Sequence, residues 1–302
     1  MQQGIYHVPV MLQEVIEGLQ IDPSGIYVDC TFGGGGHSRA ILEKLKSNGK
    51  LIAFDQDEDA KKNLPDDPRV IFIPQNFRHL QRFLRLHKIT QVDGILADLG
   101  VSSHQFDKAE RGFSTRFDAA MDMRMDQRQA FKAIDVLKTY PEDKLHKIFE
   151  QYGEVTNSKT LARTIIELRR SRSFGTITDF KNAVQQIVKG NPNKYFAQVF
   201  QALRIEVNDE LGALNEILQQ SAGVLKEGGR IAVITFHSLE DRIVKNFFKG
   251  VDDEADLFGR KKENVFQIIT KKPITSGEEE LKQNPRSRSA KLRIAEKKKL
   301  NK

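Results

Sequence analysis

Four consecutive glycines, Gly33 to Gly36, stand directly behind Val28-Asp29-Cys30-Thr31-Phe32, a short apolar run interrupted by one carboxylate, and ahead of His37 and Ser38. Glycine reaches positive φ and puts no Cβ between main-chain N–H groups and a ligand, so such a run at a strand-to-helix junction lets a bulky cofactor lie against the chain. Residues 38–45 read as the helix that opens behind this turn. A second carboxylate closes the next apolar run, Leu51-Ile52-Ala53-Phe54-Asp55, about twenty residues beyond the glycines, where a doubly wound sheet places the acid that holds a ribose. Together the two runs predict a nucleoside-containing cofactor.

A dinucleotide fingerprint requires Gly-x-Gly-x-x-Gly. Counted from Gly33 its last position is Ser38, and counted from Gly34 it is Arg39, so a pyrophosphate is poorly served. S-adenosylmethionine fits better: it has no phosphate to cradle, and its methionine part carries an ammonium and a carboxylate that backbone groups beside Asp29 can hold. A tight turn without a ligand is the plain alternative for the glycines taken alone.

The remaining chain alternates β and α signals up to about residue 103, with strands expected over 69–74 and 92–99, the latter ending in Asp98-Leu99-Gly100. From 105 to 193 buried-strand signals disappear, and amphipathic helical segments take their place at 141–151, 159–170 and 177–189. The α/β pattern then returns, with one long helix expected over 196–225, a turn at Gly228-Gly229, a buried strand over 230–236 and a helix over 239–249. This order predicts an α/β sheet domain built from residues 1–104 and 196–302, with an all-helical domain, 105–195, inserted after the fourth strand. In such sheets ligands lie beyond the carboxyl ends of the strands. The site candidates are therefore Asp29 with the glycines, Asp55, Phe77 as a platform for a base, Asp98, and His237 with Ser238. Each has a structural alternative: core packing for Phe77, a cap for Asp98, an ordinary structural histidine for His237.

Composition narrows the partners. No apolar run approaches the ~20 residues of a membrane span, and the N-terminus shows no basic and apolar leader, so a cytoplasmic protein is expected. The single cysteine, Cys30, excludes an internal disulfide and a cysteine-rich zinc site, and no metal ligand set is read. Cys30 lies beside the glycine turn, where attack on a pyrimidine ring would need an accessible thiol; it reads instead as a small core residue. The net charge of +7 is concentrated at one end, because residues 284–302 carry eight Lys or Arg against one Glu. A basic tail suits a polyanion such as RNA, or simply a solvated terminus. Within it, residues 289–295 alternate like an edge strand.

Longer blocks carry a resemblance. His7-x-Pro9-Val10-Met11-Leu12, Thr31 to Ser38, Asp98-Leu99-Gly100-Val101-Ser102-Ser103, Arg111-Gly112-Phe113-Ser114, Met121-Asp122-Met123-Arg124-Met125-Asp126, Gln201-Ala202-Leu203-Arg204-Ile205-x-Val207-Asn208-x-Glu210-Leu211, Phe236-His237-Ser238-Leu239-Glu240-Asp241 and Asn284-Pro285-Arg286-Ser287-Arg288-Ser289-Ala290-Lys291-Leu292-Arg293 span nearly the whole chain. In these blocks it resembles the RsmH (MraW) family of bacterial small-subunit ribosomal RNA methyltransferases. The resemblance implies a Rossmann-like class I S-adenosylmethionine-dependent methyltransferase fold and transfer of a methyl group to the N4 amine of a cytidine in the decoding centre of 16S rRNA. It implies cofactor contacts from Gly35, Gly36, His37, Asp55, Phe77, Asp98 and Gln105. Catalytic roles are expected for Asp98, with His237 and Ser238 as secondary candidates for base or phosphate contacts. Asp118-Ala119-Ala120 stands where many members carry Asp-Gly-Pro, and His104 where many carry Pro.

Two other classes stay open on the residues themselves. A DNA amino-methyltransferase normally carries Asp/Asn-Pro-Pro-aromatic where this chain has Asp98-Leu99-Gly100-Val101. An RNA-binding assembly protein on a methyltransferase fold would not need Asp98. A nicotinamide dehydrogenase is a more distant third, and a homodimer is compatible with everything above.

Overall fold

The computed structural model describes residues 9–172, 174–251 and 264–299; His7 and residues 300–302 of the basic tail lie outside the described residues. The chain divides into two compact units, residues 1–100 with 212–302, and residues 101–211.

The first unit is built on a sheet of seven strands: β1 (Ile26–Asp29), β2 (Lys50–Phe54), β3 (Val70–Ile73), β4 (Val92–Asp98), β5 (Leu225–Thr235), β6 (Phe266–Ile268) and β7 (Lys291–Lys297). Their order is β3-β2-β1-β4-β5-β7-β6. The first five run parallel, and β7 runs antiparallel to both its neighbours. The parallel strands are near-continuous apolar runs because both faces of the sheet are covered. Successive residues therefore enter different cores. Ile52, Phe54, Ile95, Ala97 and Val233 pack on one face with Leu214, Ile217, Val244 and Phe248, while Leu51, Leu96, Ala232 and Ile234 pack on the other with Val15, Leu19, Ile41 and Leu42. The helices of this unit are α1 (Leu12–Leu19), α2 (Gly36–Lys44) and α3 (Leu80–Leu86), and, after the second unit, α10 (Glu210–Val224) from residue 212 on, α11 (Ser238–Lys249) and α12 (Glu278–Gln283).

Two expectations change here. Of the segment expected as an edge strand, 289–295, residues 291–295 lie in β7, an interior strand held between β5 and β6, and all four residues Leu292 to Ala295 are buried. Gly228 and Gly229 do not end an element. They lie in a bulge within β5, whose pairing with β4 jumps from Val92↔Leu225 to Gly94↔Arg230, with Gly228 at φ 77°.

The second unit contains α4 (Ser103–Asp107), α5 (Ala133–Thr139), α6 (Glu142–Gln151), α7 (Ser158–Leu168), α8 (Ile177–Val184) and α9 (Pro192–Asn208). Phe149, Leu161, Ile165, Phe180, Val199 and Leu203 belong to one core there. The single long helix expected over 196–225 is two helices, α9 and α10 (Glu210–Val224), separated by Asp209 in the left-handed region at φ 46°. Because α9 packs in the helical core, the chain returns to the sheet unit at 212 rather than at 196. Among the described residues no helix is long and apolar enough to cross a membrane.

Candidate functional site

The strand order reverses between β1 and β4, which opens a crevice at the carboxyl ends of these strands. Four parallel-strand ends supply the chemistry. At the end of β1, Asp29 is 1% exposed. Its Oδ1 accepts from the Thr31 N–H at 3.0 Å and its Oδ2 from the Ser38 hydroxyl at 2.7 Å. It thus ties the turn to the first residues of α2. Burial still pushes its pKa up, against the opposing pull of His37 and these hydrogen bonds.

Gly33 and Gly35 have φ of 49° and 74°, which an L side chain rarely adopts. A Cβ on Gly36 would lie 2.1 Å from Pro9 Cγ, so this glycine admits the chain's first described residue against α2. Asp55, one residue past β2, accepts from Gly33 N–H at 2.7 Å and from Asp57 N–H at 2.8 Å, so the acid braces the glycine turn. Burial raises its pKa to about 7, offset in part by those two N–H donors. Phe77 opens a short 3-10 turn after β3, half-buried against the sheet core, with Asn76 accepting from Arg78 N–H at 2.9 Å ahead of it.

Asp98 ends β4. Its N–H donates to Thr31 Oγ1 at 2.8 Å, which joins the β4 end to the turn behind β1. Its Oδ1 is buried and has no hydrogen-bond partner among the described residues. Its pKa is held well above the carboxylate range, first by burial and then by the neighbouring acids Asp29, Glu240 and Glu280. Beside it, His37 Nε2 lies 3.0 Å from Val10 O, an acceptor only, so Nε2 carries the ring proton. The ring's Nδ1 then faces Asp98 Oδ2 at 3.7 Å as a lone pair, and burial lowers the His37 pKa, which keeps the ring neutral. A half-buried carboxyl with one buried, unsatisfied oxygen is costly unless a ligand supplies a donor.

The crevice therefore gathers Gly35, Gly36, His37, Asp55, Phe77 and Asp98 on one edge of one sheet. His237 and Ser238 stand on the same edge, after β5. The His237 ring is turned to its own helix: Nδ1 accepts from Glu240 N–H at 3.5 Å, and Nε2 lies 3.2 Å from Glu240 Oε1. Gln105 belongs to the second unit, where its Oε1 accepts from Ser102 N–H at 3.1 Å in a reciprocal cap on α4. Sequence inspection missed the braces of the turn. Asn63 donates to Gly33 O at 2.9 Å, and the Arg39 guanidinium donates to Asn63 O at 3.2 Å and also to Gly34 O. Arg39 sits one turn into the helix behind the glycines and was open to inspection, whereas nothing in the local pattern marks Asn63.

Cys30 is 1% exposed and burial pushes its thiol well above the usual range, so it is a core residue and no nucleophile. The native protein should resist alkylation by iodoacetamide until denatured, and Cys30→Ala should keep activity within about twofold of the parent. Labelling of the folded protein together with an inactive Cys30→Ala would contradict this.

Comparison with known proteins gives a consistent result. The model of the MraW methylase family matches residues 4–298. Ribosomal RNA small subunit methyltransferase H of Bacteroides thetaiotaomicron is 53% identical over 298 residues, covering 97% of this chain and 98% of its own. The protein of the same name from Flavobacterium johnsoniae is 52% identical over 300 residues, covering 97% and 98%. Among solved structures, an rRNA methylase from Streptococcus thermophilus aligns over 95% of this chain and 94% of its own, at 14% identity and a TM-score of 0.40, a likeness too loose to carry weight.

Proposed function

We infer the reaction from the premise that the chain belongs to the MraW methylase family: it is an S-adenosylmethionine-dependent methyltransferase of small-subunit ribosomal RNA, acting on the exocyclic N4 amine of a decoding-centre cytidine. The observation that carries this assignment is the Asp98 carboxyl, with one buried and unpartnered oxygen, standing at the switch point beside a glycine turn.

The residues present fit the cofactor. Glycines 33–36 put no Cβ in the way of a ligand, Asp55 offers a carboxylate to ribose hydroxyls, Phe77 offers a ring face to adenine, and the Asp98 oxygen takes a donor. Gly35, Gly36 and His37 would hold the methionine end. Bound there, S-adenosylmethionine supplies an electrophilic methyl on a sulfonium centre.

The protein's own task is alignment. The cytosine N4 lone pair is delocalised into the ring, so the amine must be held in line and its delocalisation disfavoured. An acceptor on N4–H favours a pyramidal nitrogen and stabilises the charge that develops there. We assign that acceptor to Asp98 in its ionised form, which the positive charge of a bound sulfonium would favour against the effect of burial, with His237 and Ser238 as neighbours on the RNA side, and recognition of the RNA to the helical unit 101–211. The target base must leave its stack to be reached. The backbone after Asp98 also argues against a DNA amino-methyltransferase: Gly100 has φ 91°, a conformation closed to proline, which is locked near −65°.

Cofactor binding should release a proton. With Asp55 at about 7 in the free protein, roughly half of the molecules hold it protonated at neutral pH, whereas ribose hydroxyls donating to it favour the ionised form. Affinity is expected to rise with pH through 7, falling about tenfold per unit below it. Folding stability runs the other way: a raised carboxyl pKa stabilises at low pH, and this contribution is lost as pH rises from the unfolded value through 7. Titration calorimetry at pH 6 in two buffers of different ionisation enthalpy should show about one proton more released by the parent than by Asp55→Asn. Equal release by both would refute the role of Asp55.

The function is tested by transfer of labelled methyl to small subunits that lack the modification, against a naked oligonucleotide of the same sequence. Because tertiary RNA structure shapes a decoding-centre cytidine, the particle should be methylated and the oligonucleotide scarcely. Equal rates on both would contradict it.

A further inference from the structure

Beyond the cofactor residues, the carboxyl edge of the sheet carries a second concavity. It has a volume of about 230 Å³, and its polar lining comes from His237, Ser238, Thr275, Arg288, Ser289 and Lys291, with Phe236 and Ala290 beside them. The topology brings these residues together. Thr235 at the end of β5 pairs with Lys291 at the start of β7, Ile274 bridges to Leu292, and the 3-10 turn Pro285–Ser289 leads into β7 from the same side. Ser276 Oγ donates to Ser287 O at 3.2 Å, and the buried Ser287 hydroxyl donates to Asn284 O at 2.8 Å, so the turn bearing Arg288 is anchored.

The lining contains two cationic side chains, three hydroxyls, the His237 imidazole and no carboxylate. The nearby acids are committed elsewhere. Asp241 accepts from Arg293 Nε at 2.7 Å and Nη2 at 3.3 Å, with Lys291 Nζ at 3.5 Å, so one carboxylate serves two cations. The Glu240 carboxylate accepts from the N–H groups of Phe236 and His237 at 2.8 and 3.4 Å. The Arg288 side chain is exposed and makes no hydrogen bond or ion pair among the described residues. A guanidinium, an ammonium and hydroxyl donors around a small hollow constitute the donor set for a phosphate group: the guanidinium fork meets two oxygens, the ammonium acts as a point charge, and hydroxyls complete the shell. The hollow is also close to the reacting edge. Asp98 pairs with Ile234, Leu99 N–H donates to Ile234 O at 3.0 Å, and neighbouring strands lie about 4.8 Å apart, so the pocket opens one strand from Asp98.

We propose that this pocket seats a backbone phosphate of the RNA substrate beside the nucleotide presented to Asp98, with Arg288 as its principal contact. The proposal rests on the ribosomal RNA methyltransferase assignment. A phosphate held there fixes the register of the strand, which places the target base without reading its sequence.

The test is steady-state methyl transfer from the full-length protein to unmodified small subunits over a range of salt concentrations, comparing the parent, Arg288→Ala and Arg288→Lys. Arg288→Ala should raise KM for the subunit roughly tenfold and lower the slope of log affinity against log salt by about one, and Arg288→Lys, which keeps the charge but not the fork, should restore the salt slope and only part of KM. S-adenosylmethionine affinity, measured by calorimetry on the same samples, should not move, which also shows that each variant is folded. Unchanged KM and salt slope in Arg288→Ala would overturn the proposal. Inorganic phosphate at constant ionic strength separates the two sources of the anion. Competition with subunits that Arg288→Ala relieves supports the RNA site, whereas phosphate binding in the parent with no effect of Arg288→Ala on KM assigns the pocket to a free phosphate and overturns it. If the parent itself transfers no methyl to ribosomal RNA, the functional assignment fails, an outcome distinct from an active parent whose Arg288→Ala variant behaves identically.

Discussion

Asp98→Ala should lower kcat/KM for methyl transfer to small ribosomal subunits by roughly a thousandfold, the scale seen when one preorganised group facing developing charge is removed. The same substitution should not lower the melting temperature of the cofactor-free protein. Asp98 Oδ1 is buried without a partner, and its pKa is raised by burial and by three neighbouring acids, so the carboxyl costs folding free energy that alanine would not. A residue that destabilises the free fold and is required for turnover is placed for a ligand. Asp98→Asn keeps the shape and an acceptor oxygen but cannot ionise, and its activity should fall between the two. A thousandfold loss accompanied by a lower melting temperature would mean that Asp98 is a structural cap; full activity in Asp98→Ala would remove it from the chemistry and favour an assembly protein on a methyltransferase fold.

The second large effect is expected in the helical unit. Asn208, 9% exposed at the end of α9, accepts from Met125 N–H at 2.7 Å and donates to Met123 O and Arg204 O, both at 2.8 Å. It thereby holds the segment 121–126 to α9 while Met123 stands at φ 60°, a left-handed conformation that a non-glycine residue adopts only under constraint. Asn208→Ala strands a buried N–H and a buried carbonyl, for a loss of about 3 kcal/mol. Hydrogen exchange should show the amides of α9 and of 121–126 opening faster, with little change in the sheet amides. Uniform exchange across both units, or none, would contradict a local role for this side chain.

That pair also shows what the sequence could disclose. The block Met121 to Asp126 and Asn208 both belong to the resemblance, yet their joint purpose is a tertiary hydrogen-bond cluster between residues 83 and 85 positions apart, and no periodicity reports it. The strand ends were legible for the opposite reason. A buried parallel strand is a short apolar run, and a carboxylate or glycine closing it marks the ligand edge, so Asp29, Asp55 and Asp98 could be placed from spacing alone. The helix over 196–225 was misjudged because apolar periodicity continues from Val207 to Leu211, and the break depends on one backbone angle at Asp209. For β7 the alternating pattern was visible, but which strands flank it is decided by pairings with segments far away in sequence, β5 and β6. The basic tail divides similarly: Arg293 is buried against Asp241 and serves the fold, while Arg288 and Lys291 line a pocket, a distinction that a charge count cannot make.

The central claim is tested most directly by nucleoside mass spectrometry of 16S rRNA after incubating unmodified small subunits with the protein and S-adenosylmethionine. The account predicts one new N4-methylcytidine in the decoding region, formed by the parent and missing with Asp98→Ala. A methyl group on a ring carbon or on another nucleoside, or cofactor binding with no methylated nucleoside at all, would contradict it.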